Sequence, residues 1–249
     1  MAILAGFILG SCKKDNDVQT PKPNDTPEST ANLHIHFTHQ ADSLTLFAGQ
    51  TYTLPANRSF SVDVFKYYIS NIELHYTNGK IFKEDYSYHL IDFKGKTEIT
   101  LNGVPTGNLG MIKFMIGVDS AKNVSGPQTG DLSPNLGMFW TWNTGYIMVK
   151  FEGGSPQSGA PDKYLVYHIG GFKGPNKVQR NVIINLPPKA TLTENKTSEL
   201  SLLTNVSRLF YGVYDIDFTS NYQTMINNKN ASEIADNYTY MISFKGFQP

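Results

Sequence analysis

Leu33-His34-Ile35-His36-Phe37 alternates apolar and polar side chains without a break. Successive side chains of an extended chain point to opposite faces, so Leu33, Ile35 and Phe37 line one face while His34 and His36 share the other. This is a strand with one buried side. The same period returns at Val62 and Val64, at Ile72, Leu74 and Tyr76, and at Ile112, Phe114 and Ile116. It recurs at Ile147, Val149 and Phe151 and at Leu165, Tyr167 and Ile169, and Val182-Ile183-Ile184 adds a short β-branched run. Asn78-Gly79 is a hairpin signal, and Gly103, Pro105, Gly107 and Gly110 break the chain ahead of Met111. Helical spacing is confined to Asn205–Tyr211, through Val206, Leu209 and Phe210, and to a turn through Glu233 and Ile234 that Ser232 is placed to cap. The expected fold is all-β: a single antiparallel β-sandwich with long loops and one or two short helices, occupying residues 33–249.

Composition narrows the function. Lys+Arg 21 balances Asp+Glu 21 in a chain of 249 residues, which leaves no basic field for nucleic acid. Aromatic content of 12% is mostly Phe 15 and Tyr 14, residues that pack well on a pleated face, and Trp 2 stands apart. The sequence contains no phosphate-binding loop, dinucleotide fingerprint, nucleophile elbow or zincin motif, and no motif sets two carboxylates across a substrate as glycoside hydrolysis needs.

The N-terminal segment reads as an address. Ala2-Ile3-Leu4-Ala5-Gly6-Phe7-Ile8-Leu9 is apolar, uncharged and too short to span a bilayer. It closes on Leu9-Gly10-Ser11-Cys12, which resembles the lipobox of bacterial lipoproteins, although no basic residue precedes the run. Residues 1–11 are then a signal segment, and Cys12, the single cysteine, is the lipidation site. Residues 12–32, rich in Pro, Thr, Asn, Asp and Ser, cannot bury enough apolar area to order themselves and read as a tether. Lys13-Lys14-Asp15-Asn16-Asp17 resembles an export signal of surface lipoproteins. The expected location is the cell envelope, on an outer membrane facing periplasm or surface.

The central segment carries the unusual residues. Gly117-Val118-Asp119-Ser120 leads to Asn123, Gly130-Asp131, Met138-Phe139-Trp140-Thr141-Trp142-Asn143-Thr144-Gly145-Tyr146, Glu152-Gly153 and His168-Ile169-Gly170-Gly171. Together with Tyr68-Ile69-Ser70-Asn71-Ile72 and Ala235-Asp236-Asn237, these blocks resemble the MbnP-like family of copper-binding proteins associated with methanobactin operons. The resemblance implies a copper-binding protein of the envelope, itself not an enzyme. It also implies a dihaem cytochrome c peroxidase-like partner, of the MbnH type, that oxidises a tryptophan to kynurenine. Intact indole offers only a ring N–H donor, whereas opening the ring creates an aniline nitrogen and a carbonyl oxygen.

On this resemblance Trp140 or Trp142 is the oxidisable residue, and spacing does not choose between them. His168 is the first imidazole candidate. His34 and His36 could pinch a metal from one strand face, with His39 close behind. Related kynurenine sites place a His two residues after the modified Trp, where this chain has Trp142 or Thr144. Asp119, Asn123 and Asp131 are oxygen groups that could hold calcium, without the spacing of an EF-hand; side chains of this kind also bond their own backbone in loops. The reading from a different class is a metal-free surface module that binds glycan, peptide or protein through its aromatics.

Overall fold

The computed structural model describes residues 28–140 and 145–249. The signal segment, Cys12, the tether as far as residue 27, and Trp142 lie outside the described residues. The alternation at Leu33–Phe37 forms β1 (Thr30–Ala41). It is followed by β2 (Leu44–Thr45), β3 (Thr51–Leu54), β4 (Arg58–Ser61), β5 (Val64–Tyr76), β6 (Ile81–Lys83), β7 (Tyr88–Asp92), β8 (Glu98–Pro105) and β9 (Gly107–Ile116). Helix α1 (Ser120–Val124) opens the central segment, which returns to strand at β10 (Phe139–Trp140) and β11 (Gly145–Gly154). Then come β12 (Tyr164–Gly170), β13 (Arg180–Asn185), β14 (Thr191–Leu192), β15 (Thr197–Asn205), β16 (Gln223–Thr224), helix α2 (Lys229–Tyr238) and β17 (Ile242–Gln248).

Among the described residues the strands form a five-stranded sheet, ordered β17-β15-β1-β2 with β8 also on β1, a ten-stranded sheet built on β13-β9-β5-β11-β12-β16, and a separate two-stranded sheet of β3 and β4. The all-β sandwich is as expected, with one departure: β1 runs parallel to β15, and β12 to β16. Parallel neighbours need a long crossover. For β1 and β15 that crossover contains most of the other sheet. The predicted Asn78-Gly79 hairpin joins β5 to β6, with Gly79 at φ +88°.

Leu33, Ile35 and Phe37 face the interior, and the Phe37 ring meets Tyr67 of the larger sheet at 6.1 Å. Phe60, Phe151, Phe210 and Phe218 continue this core, with Phe210 about equally close to the other three at 5.0 Å. A third layer covers the larger sheet's outer face. Tyr68, on the opposite side of β5 from Tyr67, packs against Tyr146 at 5.8 Å and donates to the Asp131 carbonyl at 3.1 Å. Strand β11 is therefore buried on both faces near its start, and Gly145 through Val149 are all buried.

The helical expectations shift slightly. Val206–Leu209 is one 3-10 turn, with the Asn205 side chain accepting from the Ser207 N–H. Helix α2 starts earlier than a Ser232 cap requires, because the Asn228 side chain already accepts from the Ala231 N–H at 2.8 Å. Ser232 sits inside the helix. Ala231, Ile234, Ala235 and Tyr238 supply its buried stripe.

His39 points inward, unlike His34 and His36, and links the two sheets. Its Nε2 lies 3.1 Å from the Tyr67 hydroxyl, which lies 2.8 Å from Thr204 Oγ1 on β15. Burial lowers the imidazole from 6.5 to about 4, partly offset by Asp92. The unfolded chain takes up this proton first as pH falls, so the contribution of His39 is intact above pH 6.5 and lost towards pH 4. That loss is up to about 3 kcal/mol. In urea unfolding, the stability gap between the parent and His39→Gln should narrow by up to this amount between pH 7 and pH 4. A gap independent of pH would show that His39 is not buried in its neutral form.

Candidate metal centre

The outward face of β1 meets acidic residues on both neighbouring strands. The parallel register sets His34 beside Glu199 of β15, and the antiparallel register sets His36 opposite Glu98 of β8. His36 Nε2 lies 2.5 Å from Glu199 Oε2, and His34 Nδ1 lies 3.3 Å from Glu199 Oε1. The other nitrogen of His36, Nδ1, lies 3.3 Å from Glu98 Oε2. The two imidazole rings stand edge to face with centroids 6.3 Å apart. Each of His34, His36 and Glu199 offers a ligand atom within 4.8 Å of the others, the one such group of three among the described residues. Their side chains are 39%, 38% and 36% exposed, so the centre is open to an incoming ion.

His168 lies elsewhere. It sits on the outward face of β12 in the larger sheet, with Nε2 at 2.7 Å from Glu152 Oε1. Burial pushes its pKa down, and Glu152 offsets part of that shift. Lys150 Nζ is 3.2 Å from the same Glu152 oxygen, so the carboxylate already carries a cation. His34 and His36 are on one outer face of the sandwich and His168 on the other. The structure therefore does not gather the three expected imidazoles into one site.

Trp140 belongs to the face of His168. It is 4% exposed, and its six-membered ring lies directly on Gly170 of β12. A Cβ at Gly170 would come within 2.5 Å of Trp140 Cζ3. The Gly that follows His168-Ile169 thus makes room for the indole. Beside it opens a cavity of about 180 Å³ lined by Trp140, Gly145, Tyr146, Gly171, Phe172, Lys173 and Asn227.

The loop oxygens expected to hold calcium have other tasks. Asp119 caps α1, accepting from the Lys122 N–H at 3.0 Å, and also accepts from the Tyr88 hydroxyl. Asn123 donates to the carbonyls of Val118 and Asp119 and accepts from the Tyr146 N–H at 3.0 Å. Asp131 accepts from the Leu90 N–H at 3.0 Å and from Lys96 Nζ at 2.6 Å. These groups fasten the third layer to the sheet beneath it, and a cation would have to displace those donors.

Glu199 and Glu98 were not singled out in the sequence. Glu199 lies in an alternating run, with Leu200 and Leu202 buried, which marks it as outward-facing. Its partner His36 is 163 residues away, and nothing local names that partner.

A family model for MbnP matches residues 30–230. The chain belongs to the MbnP family. The solved structure of MbnP from Methylosinus trichosporium superposes with a TM-score of 0.55 at 16% identity, covering 75% of this chain and 80% of that one. At that identity the likeness to MbnP concerns the fold. No curated protein matches the chain.

Gly170→Ala tests the seating of the indole. Overpacking of this kind costs about 1–3 kcal/mol. Thermal unfolding should show the loss, with tryptophan emission shifted to the red; an unchanged melt would mean that Trp140 does not rest on Gly170.

Proposed function

We propose that this chain is a copper-binding protein of the bacterial cell envelope, anchored by lipid on Cys12 and held off the membrane by the tether that follows. One observation carries the reading: His34, His36 and Glu199 converge on a sheet face in a member of the MbnP family. Imidazole and carboxylate are suitable copper donors. On this reading the two rings and the Glu199 carboxylate hold the ion, and their partial exposure lets it be loaded and released.

The protein acts as a binder and not as an enzyme. Trp140 or Trp142 is the substrate of a dihaem cytochrome c peroxidase-like partner, and its oxidation to kynurenine adds a nitrogen and an oxygen donor. An oxidised Trp140 would present these donors on the face of His168, away from His34 and His36. A metal-free docking module working through Tyr and Trp is less well supported, since Trp140 is 4% exposed and so offers no contact surface.

Metal-free protein dialysed against copper should take up about one ion per chain at this centre. The double variant His34→Ala/His36→Ala should weaken uptake by more than about tenfold, with His168→Ala close to the parent. Equal uptake by the double variant and the parent would remove copper from this face. In protein from the native host, the intact mass should carry the indole-to-kynurenine change, and an unmodified mass would remove the tryptophan step.

A further inference from the structure

We propose a second binding site on this protein, for a neutral saccharide, in which the ring of Tyr86 is the stacking platform and Gln128, Thr129 and Asp131 take the sugar hydroxyls. It uses none of the residues of the metal centre and stands apart from the copper reading.

The turn between β6 and β7 carries Tyr86, and the chain on either side of it is pinned to β5. The Glu84 N–H donates to the Ile72 carbonyl at 3.0 Å. Ser87, which is buried, accepts two bonds in return: its carbonyl from the Asn71 N–H at 3.0 Å and its Oγ from the Ile72 N–H at 2.9 Å. Between these anchors Tyr86 lies at φ +52°, a left-handed conformation that a bulky residue adopts only at a cost. Its ring is nevertheless 88% exposed. Neither packing nor backbone preference calls for a tyrosine here, and conformations of this kind cluster at ligand sites.

Beside the ring opens a cavity of about 390 Å³, whose walls also include Tyr88, Lys122, Gln128, Thr129 and Asp131. Lys122 Nζ lies 6.0 Å from the Tyr86 centroid and 5.7 Å from that of Tyr88, so one ammonium ties the two rings together. The polar atoms of the wall keep capacity for a ligand. Thr129 makes no side-chain capping bond to the turn that follows it. Gln128 Oε1 makes a long contact, 3.5 Å to Lys122 Nζ. The Leu90 N–H and Lys96 Nζ both end on Oδ2 of Asp131, which leaves Oδ1 to accept.

Charge selects the class of ligand. Asp119 and Asp131 stand against Lys96 and Lys122 around this cavity, two against two. An anion would meet the carboxylates, and a cation would meet an ammonium already seated over the aromatic rings. A neutral sugar ring meets neither obstacle. Its C–H face packs on the electron-rich face of a tyrosine, and its hydroxyls bond to the amide, hydroxyl and carboxylate at the rim. Few polar groups around an aromatic surface are the usual composition of a small-molecule site.

The test titrates the whole chain by calorimetry with neutral oligosaccharides of glucose, mannose, galactose and xylose, and with an acidic galacturonate and a cationic glucosamine oligomer. At least one neutral probe should bind, and more tightly than either charged one. Tyr86→Ala should weaken that binding by about tenfold, while Tyr86→Phe, which keeps the stacking face, should bind as the parent does. Tyr86→Asn, a residue that tolerates the left-handed backbone, should melt no lower than the parent and still bind about tenfold more weakly. The double variant His34→Ala/His36→Ala should bind the sugar as the parent does. No binding of any neutral probe at millimolar concentration would overturn the proposal, and tighter binding of a charged oligomer would overturn the ligand class. Parental affinity in Tyr86→Ala, or loss of the sugar in the double histidine variant, would overturn the placement; neither outcome touches the copper reading.

Discussion

Strand β1 has to satisfy two opposite environments at every second residue. Leu33, Ile35 and Phe37 fill the space between the sheets, and His34 and His36 are forced outward by the same alternation. Because β1 lies between β15 on one side and β8 on the other, anything it displays outward is bordered by residues from both. A one-residue slip of β1 would bury two imidazoles and expose three apolar side chains. The hydrophobic requirement on one face therefore fixes the register that assembles the polar cluster on the other.

Strand periodicity was plainly readable in the sequence, because alternation is local and the buried face must be apolar. The outward placement of His34 and His36 followed from five residues. Which strands flank them did not. Glu199 and Glu98 reach the histidines through pairings of 163 and 62 positions, and a period of two says nothing about partners. The parallel pairing was missed for the same reason, since parallel neighbours leave no turn between them to be recognised. At α2, Ser232 and Asn228 offer the same kind of acceptor, and the buried stripe beginning at Ala231 decided for the earlier one.

The central segment shows how a motif can be legible without its geometry. The run from Met138 to Tyr146 and the His168-Ile169-Gly170 block point to each other as a family signature, and in space they do meet. They meet through the indole of Trp140 on the bare backbone of Gly170, a packing contact. The histidine of that block is turned to Glu152, which Lys150 also contacts. Asp119, Asn123 and Asp131 likewise spend their polarity on holding the covering layer in place. The resulting molecule has two chemically distinct outer faces: one sealed by that layer around a tryptophan, the other open with histidines and glutamates.

The parallel pairing of β1 with β15 also has a consequence in time. Loop closure across so many residues is entropically costly and comes late in folding, after more local hairpins such as that of β5 and β6 have formed. Until then His34 and His36 have no Glu199 beside them. A chain still being made, or one opened at its C-terminal third, carries the histidines without the carboxylate that completes their cluster. Occupancy of this centre would therefore report that the sandwich has closed, and an ion bound there would in turn hold the first strand of the fold to one of its last.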